Sequence, residues 1–395
     1  MIENTRLSLF LLIFVFLAGL QAGCDSAPGN VGSGLLDPQA GEPLSIQVET
    51  TVFEPQGTPD ITGGSFSEGA KRALFGTVID PAVGTIDASG HIDFFPTESV
   101  SDEFRNNSIS MAELTLHIDY VYGDTLDGVT IQISDIIDSW DAVGVSADTV
   151  LTIGDPIMQM EIESNAQILR FELPSEWIQA NDEILRSDNF SEVFHGFQLR
   201  TLSGNAVLGV SHAASTMKLA VPGDTSIFVM SKIVSTIEKT GDIDVPGSVL
   251  IQDGAAARVD VAFGLKLNPE LDGIIHRTIF RISDSLPSLN TPGGFYRPQI
   301  ERLYLALTFG DPQLRVLLAA ATPAEDGSFT FVEGSIPEDE LTFNETITGI
   351  ILDILPDPMF EISVPVSEST INVLFVDDIN SQKAPHVILT VTNIK

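Results

Sequence analysis

The sequence predicts an all-β protein made of two tandem antiparallel β-sandwich domains, jelly-roll-like, with few short helices. Short runs in which apolar and polar residues alternate recur along the chain, as half-buried strands require. Glycine and proline, 32 and 22 of the 395 residues, interrupt these runs at short intervals. Hydrophobic residues make up 43% of the chain, which is enough apolar surface to form a folded core despite the high charge.

The length predicts two domains, because 395 residues exceed the size of one ordinary domain. A turn-forming segment at residues 221–224, Val-Pro-Gly-Asp, interrupts the chain near its middle. We therefore expect an N-terminal sandwich domain at residues 44–222 and a C-terminal sandwich domain at residues 223–395.

In the first half, the clearest strand runs through residues 114–122, where Leu114, Leu116 and Ile118 alternate with polar residues. Side chains on one face of a strand recur with period two, so this pattern indicates one buried face. A helix is expected after Pro174 with Ser175 as its N-cap, and a helical turn over residues 189–194. The same alternation predicts further strands at residues 44–48, 129–133, 150–153, 169–173, 197–202 and 217–221.

The second half repeats the pattern of short strands separated by turn residues. The pattern of residues 347–355 fits either a short helix or a buried strand, because periodicity alone does not separate the two. The predicted strands of this half are residues 248–252, 257–263, 278–282, 303–309, 314–320, 329–332, 371–376 and 386–392.

The N-terminus combines a polar start with an apolar run over residues 7–20, shorter than the ~20 residues that a membrane-spanning helix needs. Ala22 and Gly23 precede Cys24, the only cysteine of the chain. This arrangement resembles the lipobox of bacterial lipoproteins, although Gln21 stands where that pattern usually has leucine. The resemblance implies a signal peptide at residues 1–23 and lipidation of Cys24. The Gly- and Pro-rich composition of residues 24–43 predicts a flexible linker. The alternative is an ordinary secretory signal with Cys24 as a free thiol.

The chain is strongly acidic, with 55 acidic against 19 basic residues and a net charge of −36. Such a body is repelled by nucleic acid and by anionic membrane surfaces, so nucleic acid is excluded as a partner. Either dedicated cation sites or a solvated acidic surface adapted to salt explains the acidity. We favour the acidic surface, because the aspartates are spread along the chain and lysine is scarce.

Several segments resemble an uncharacterised family of surface lipoproteins of the Gram-negative Bacteroidota, catalogued as a domain of unknown function. Cys24 and residues 32–37, 74–77, 80–84, 120–125 and 251–254 carry the resemblance. It implies an outer-membrane lipoprotein with β-rich domains, and it supplies no catalytic residues. Residues 278–282 and 302–305 also resemble strands of the jelly-roll modules of secreted polysaccharide-degrading proteins, which keeps glycan binding as an alternative.

The sequence contains no motif of a common enzyme class. The serine elbow GxSxG, the phosphate loop GxxxxGK[ST], the zinc helix HExxH and paired CxxC motifs are all absent. The six histidines stand far apart in the chain. We therefore expect no enzyme activity, no catalytic residues and no cofactor. Glycoside hydrolysis needs only two carboxylates, and a chain with 55 acidic residues contains many such pairs, so the sequence does not exclude it.

The segment Asp135-Ile-Ile-Asp138-Ser-Trp140-Asp141 contains the best candidates for a ligand site. Carboxylate oxygens suit calcium, and an indole face suits a sugar ring. Asp135, Asp138 and Asp141 are thus weak calcium candidates and Trp140 a weak glycan candidate. A solvated loop with a core tryptophan is the favoured interpretation.

Together these observations predict a protein of the outer membrane or cell surface, held there by lipid on Cys24. Its expected role is non-catalytic binding or structural support, with envelope proteins or surface glycans as partners. The alternative function is that of a glycan-binding or glycan-cleaving accessory protein.

Overall fold

Antiparallel strands form most of the described chain in the computed structural model, which confirms the all-β class with few short helices. The predicted signal peptide at residues 1–23, the linker at residues 24–43 and Cys24 lie outside the described residues. The structure describes residues 44–47, 71–142, 150–241, 248–252, 261–264, 273–285, 293–310, 314–332, 343–351, 354–355, 358–364, 369–377, 381 and 383–393.

Up to residue 241, the described residues of the first part of the chain form eleven strands and three helices. The strands are β1 (Leu44–Gln47), β2 (Arg72–Asp80), β3 (Gly84–Pro96), β4 (Met111–Asp124), β5 (Gly128–Ile136), β6 (Ile153–Glu163), β7 (Ile168–Glu172), β8 (Phe197–Ser203), β9 (Ala206–Ser211), β10 (Thr216–Val221) and β11 (Asp224–Thr240). The helices are α1 (Asp102–Asn106), α2 (Ser175–Leu185) and α3 (Phe190–Val193).

The second part of the chain contributes shorter strands and one helix. The strands are β12 (Ser248–Gln252), β13 (Val261–Gly264), β14 (Gly273–Ser283), β15 (Phe295–Tyr296), β16 (Leu303–Phe309), β17 (Leu314–Ala321), β18 (Ser328–Val332), β19 (Met359–Ser363), β20 (Val373–Asp377) and β21 (His386–Asn393). The helix is α4 (Phe343–Ile351).

The largest sheet has 11 strands, in the order β11-β10-β4-β9-β2-β3-β8-β5-β6, with β7 and β15 paired to β4. Because β11 also pairs with β3, the six strands from β11 to β3 close into a ring. Three smaller sheets belong mainly to the second part, and their strand orders are β1-β21-β14-β18, β13-β19-β16-β17 and β12-β20.

The turn at residues 222–223 joins β10 to β11 in a hairpin, with Val221 paired to Asp224. Gly223 has a φ of 92°, a conformation that glycine adopts without steric cost. β11 then runs alongside β3 from Phe228 to Thr240. The expected domain boundary at residues 222 and 223 therefore lies inside one continuous sheet, and the chain moves to another sheet only after Thr240.

Apolar clusters lie against both faces of the large sheet at its central strands. In β2, Phe75 packs into one apolar cluster with Phe94 and Phe197, and the neighbouring Leu74 points into a cluster on the other face. That second cluster includes Phe375 of β20, so the two parts of the chain share a core. Burying one such large apolar side chain stabilises the fold by about 1.5–3 kcal/mol. A third cluster fills the interior of the second part.

The helices are short and each packs against the sheets. Trp177, Ile178 and Leu185 form the buried face of α2, and the half-buried Ile184 packs against the same core. Its N-cap is Pro174 and it has no side-chain cap, so the expected capping by Ser175 is wrong, because Ser175 is already the first helical residue. Residues 343–351 are helical, so the first five residues of the segment 347–355 form a helix, whereas residues 354 and 355 are not helical and residues 352 and 353 lie outside the described part. Among the described residues, no helix has the length and apolar character to cross a membrane.

Most of the predicted strands are present, and β16 has the predicted bounds. The strand expected at residues 150–153 is instead β6, which begins at Ile153. Of the strand expected at residues 257–263, residues 257–260 lie outside the described part. The sequence analysis missed β2, β3, β9, β11, β15 and β19.

Candidate functional site

The three aspartates proposed as calcium ligands have separate surroundings. Asp135 accepts a hydrogen bond from Nε1 of Trp177 at 2.7 Å, and burial raises the pKa of its carboxyl. Asp138 lies at the surface and accepts from the backbone N–H of Thr152 at 2.8 Å, and the hydrogen bonds from Thr152 lower its pKa. No three histidine, cysteine, aspartate or glutamate residues in the described part of the chain, Asp141 included, are grouped to hold a metal ion.

Trp140, the proposed glycan platform, is 8% exposed. Its ring packs in a small apolar cluster with Ile136 and Val234, and its Nε1 donates to the carbonyl of His195 at 2.8 Å. The amino group of Lys232 lies 5.6 Å from the ring centroid. A sugar ring needs an open aromatic face, so the structure places Trp140 among the core residues instead.

A buried polar cluster lies beside Trp140. The carboxylate of Asp93 pairs with Nζ of Lys232 at 3.2 Å. Burial raises the pKa of Asp93, and the charge of Lys232 opposes this effect. Burial also lowers the pKa of His91 to about 4, so its imidazole is neutral at pH 7. Asp93 and His91 lie on β3, whose partner β11 carries Lys232, so the cluster holds together two long strands of the ring.

The strongest candidate for a binding site is a cleft of about 350 Å³ between the large sheet and the second part of the chain. We call it the Tyr296 groove. One wall is formed by Arg72 at the start of β2 and by Asp119 and Tyr120 of β4. Arg72 Nε lies 3.0 Å from Asp119 Oδ1, and the guanidinium carbon lies 5.6 Å from the centre of the Tyr120 ring. This wall therefore presents a paired cation and anion beside an aromatic ring.

The other wall comes from the second part of the chain and contains Tyr296, Gln299, Glu301 and Asn372. Tyr296 is 54% exposed, and Gln299 and Glu301 are also exposed. Asn372 is only 2% exposed, and its Nδ2 donates to the carbonyl of Gln299 at 2.8 Å. Its Oδ1 has no hydrogen-bond partner among the described residues. A buried acceptor without a donor is unfavourable, so this oxygen costs stability unless a donor reaches it.

Two contacts fix the walls relative to each other. The hydroxyl of Tyr120 accepts a hydrogen bond of 3.3 Å from the backbone N–H of Ile371, the residue that precedes Asn372. On the other side, Tyr296 of β15 pairs with Gly123 of β4. The groove thus forms where residues far apart in the chain meet, since Tyr120 and Ile371 are 251 positions apart.

A buried ion pair lies next to the groove. Arg297, which follows Tyr296, donates from Nη2 to Asp80 Oδ1 at 2.7 Å and from Nε to Asp80 Oδ2. The hydroxyl of Tyr122 donates to the same carboxylate at 2.7 Å. Both charged side chains are almost fully buried, at 3% and 0% exposure. Burial alone would raise the pKa of Asp80, but the hydrogen bonds from Arg297, Tyr122 and the Ala82 backbone outweigh it and hold the pKa below its ordinary value.

A second cleft of about 350 Å³ lies on the first part of the chain, away from these residues. It is lined by Phe95, which is 44% exposed, and by Glu98, Phe228 and Arg105. Arg105 Nε pairs with Asp188 at 2.7 Å. This cleft has the same volume and also offers an aromatic ring and a carboxylate, which makes it a matched control for the groove.

The sequence analysis did not find the residues of the Tyr296 groove. Arg72, Asp119, Gln299 and Asn372 come from four separate segments, and no local spacing links them. The one signal was Tyr296 itself, an aromatic residue in a segment rich in glycine and proline, where a core residue is not expected.

Comparison with known proteins identifies no relatives: no protein-family model matches the chain, and no curated protein matches it in sequence.

Proposed function

We propose that this protein is a lipid-anchored envelope or cell-surface lipoprotein whose β-rich body binds a partner without catalysis, in the Tyr296 groove. The observation that carries the binding role is the groove itself, an open cleft of about 350 Å³ that places the exposed ring of Tyr296 near the ion pair of Arg72 and Asp119. A pre-formed cleft with a few polar groups beside an aromatic ring is the usual form of a binding site.

The sequence supports the anchor through the apolar run at residues 7–20 and the small residues before Cys24. β1 begins at Leu44, so 44 − 24 − 1 = 19 residues, 25–43, lie between Cys24 and the start of β1. Fully extended, a linker of this length reaches about 70 Å, and as a flexible coil it spans about 25 Å. A body with a net charge of −36 would be repelled by an anionic membrane surface, and such a linker lets it stand away from the lipid.

The non-catalytic role is supported by the lack of enzyme motifs in the sequence and by the resemblance to surface lipoproteins, which supplies no catalytic residues. Envelope proteins and surface glycans are the proposed partners. Outer membrane or cell surface is the proposed location.

The anchor is tested by labelling cells with radioactive palmitate. We expect label on the wild-type protein and none on Cys24→Ala, because the thiol of Cys24 is the only cysteine side chain that a lipid could modify. Ser26→Ala, two residues away, is the matched control and should keep the label. An unlabelled wild type, or equal label on wild type and Cys24→Ala, would contradict the anchor.

A further inference from the structure

The size of the Tyr296 groove restricts its ligand. About 350 Å³ lies at the lower end of the ~300–1,000 Å³ range of small-molecule sites. The groove is open, since Tyr296, Gln299 and Glu301 are exposed at its wall. It therefore suits a small ligand, or the end of a longer chain, better than a folded protein surface.

The hydrogen-bonding groups of the groove require a ligand that both donates and accepts. The acceptors are the carboxylates of Asp119 and Glu301. The donors are the guanidinium of Arg72 and the side-chain amide of Gln299. A hydroxyl group meets both needs, because it carries one donor and two acceptor sites.

The charges of the groove favour a neutral ligand. Arg72 and Asp119 form an ion pair at 3.0 Å, so each largely cancels the field of the other. An anionic ligand would meet Glu301 and a protein of net charge −36. A cationic ligand would meet Arg72, which already covers the ring of Tyr120 at 5.6 Å.

The groove also offers a ligand an exposed aromatic ring. Tyr296 is 54% exposed, and its ring offers an apolar face with a polar hydroxyl at one end. A sugar ring has a matching form, with an apolar C–H face and hydroxyl groups at its edge. We propose that the Tyr296 groove binds a neutral sugar unit of a glycan. This inference rests on the proposed binding role of the groove and does not depend on the lipid anchor.

The test is a titration of the full-length protein, purified in detergent, with three probes. These are neutral hexose oligosaccharides, oligosaccharides of uronic acids, and the organic cation spermidine. The expected result is saturable binding of at least one neutral oligosaccharide, weakened about tenfold or more by Tyr296→Ala and weakened also by Glu301→Gln.

Phe95→Ala and Glu98→Gln make the same changes in the second cleft and should leave binding unchanged. The side chains of Tyr296 and Glu301 are exposed, so neither substitution should prevent folding. A circular dichroism spectrum of each variant verifies this. Binding of no neutral oligosaccharide, binding of the charged probes alone, or binding that Tyr296→Ala does not weaken would each overturn the inference.

A reducing-sugar assay on the bound oligosaccharide separates this inference from the proposed function. Release of reducing ends would contradict the non-catalytic role and leave sugar binding intact. A wild-type protein without palmitate label would contradict only the proposed lipid anchor and would leave the sugar-binding inference intact. Binding of a charged probe, lost in Tyr296→Ala, would keep the binding role of the groove and overturn only its ligand class.

Discussion

At the scale of single residues, the pair formed by Asp80 and Arg297 links the large sheet to the segment that carries Tyr296. Its two charges are buried, and two hydrogen bonds, from Nε and Nη2 of the guanidinium to the two carboxylate oxygens, join them. Removing one partner of such a pair leaves the other charge buried and uncompensated, which costs far more than breaking an exposed pair. The pair therefore holds one wall of the groove in place.

We expect Asp80→Asn to lower the free energy of unfolding by about 3 kcal/mol or more, measured by urea denaturation. The matched control is Asp188→Asn, which breaks the exposed pair with Arg105 and should cost less than about 1 kcal/mol. Equal losses for the two variants would show that the buried pair has no special role.

The pH dependence of this loss follows from the lowered pKa of Asp80. A carboxyl with a depressed pKa in the folded state contributes stability that is present above its unfolded pKa and lost as the pH falls through the folded one. The difference in the free energy of unfolding between wild type and Asp80→Asn should therefore stay constant from pH 7 to about 4 and shrink at lower pH.

At the scale of the elements, β8 depends on a close approach at its start. Gly196 has a φ of 80°, and a Cβ built at this position would overlap the carbonyl oxygen of Ile92 in β3. The carbonyl of Gly196 also accepts from the backbone N–H of Ile136 at 3.0 Å, so the residue joins β8 to both neighbouring strands. Only glycine fits here, because any side chain would push β8 away from β3.

Gly196→Ala should accordingly lower the free energy of unfolding by about 2 kcal/mol or more, through both the clash and the positive φ. Gly293→Ala is the matched control, since a Cβ at Gly293 meets nothing within 4 Å. Thermal unfolding of the two variants compares them directly, and a loss at Gly293 equal to that at Gly196 would contradict the close packing of β3 and β8.

The elements also show which part of the fold the sequence could predict. β4 was predicted because it has an alternating run that marks one buried face. β2 and β3 were missed because adjacent residues such as Leu74 and Phe75 are buried on opposite faces, which removes the alternation. Trp140 was proposed as a sugar platform, yet a tryptophan in the core and one at the surface look alike in a single sequence.

At the scale of the whole molecule, the groove exists only because the two halves of the chain pack together. Its walls contain Arg72 and Tyr120 from the first half and Tyr296 and Asn372 from the second. The cluster that includes Leu74 and Phe375 gives the two halves a shared core. Contacts across such long chain separations leave no local signal, so the sequence could not predict the site, whereas it did predict the all-β class.

The most direct test of this account is an equilibrium urea unfolding curve of the full-length protein followed by two probes. Fluorescence reports the first half, because both tryptophans, Trp140 and Trp177, lie there. Hydrogen exchange of the amides of β14 and β16 reports the second half. The shared core and the Asp80–Arg297 pair predict transitions with the same midpoint. Two separate midpoints, with one half folded while the other is unfolded, would contradict the claim that the groove is held together by both halves.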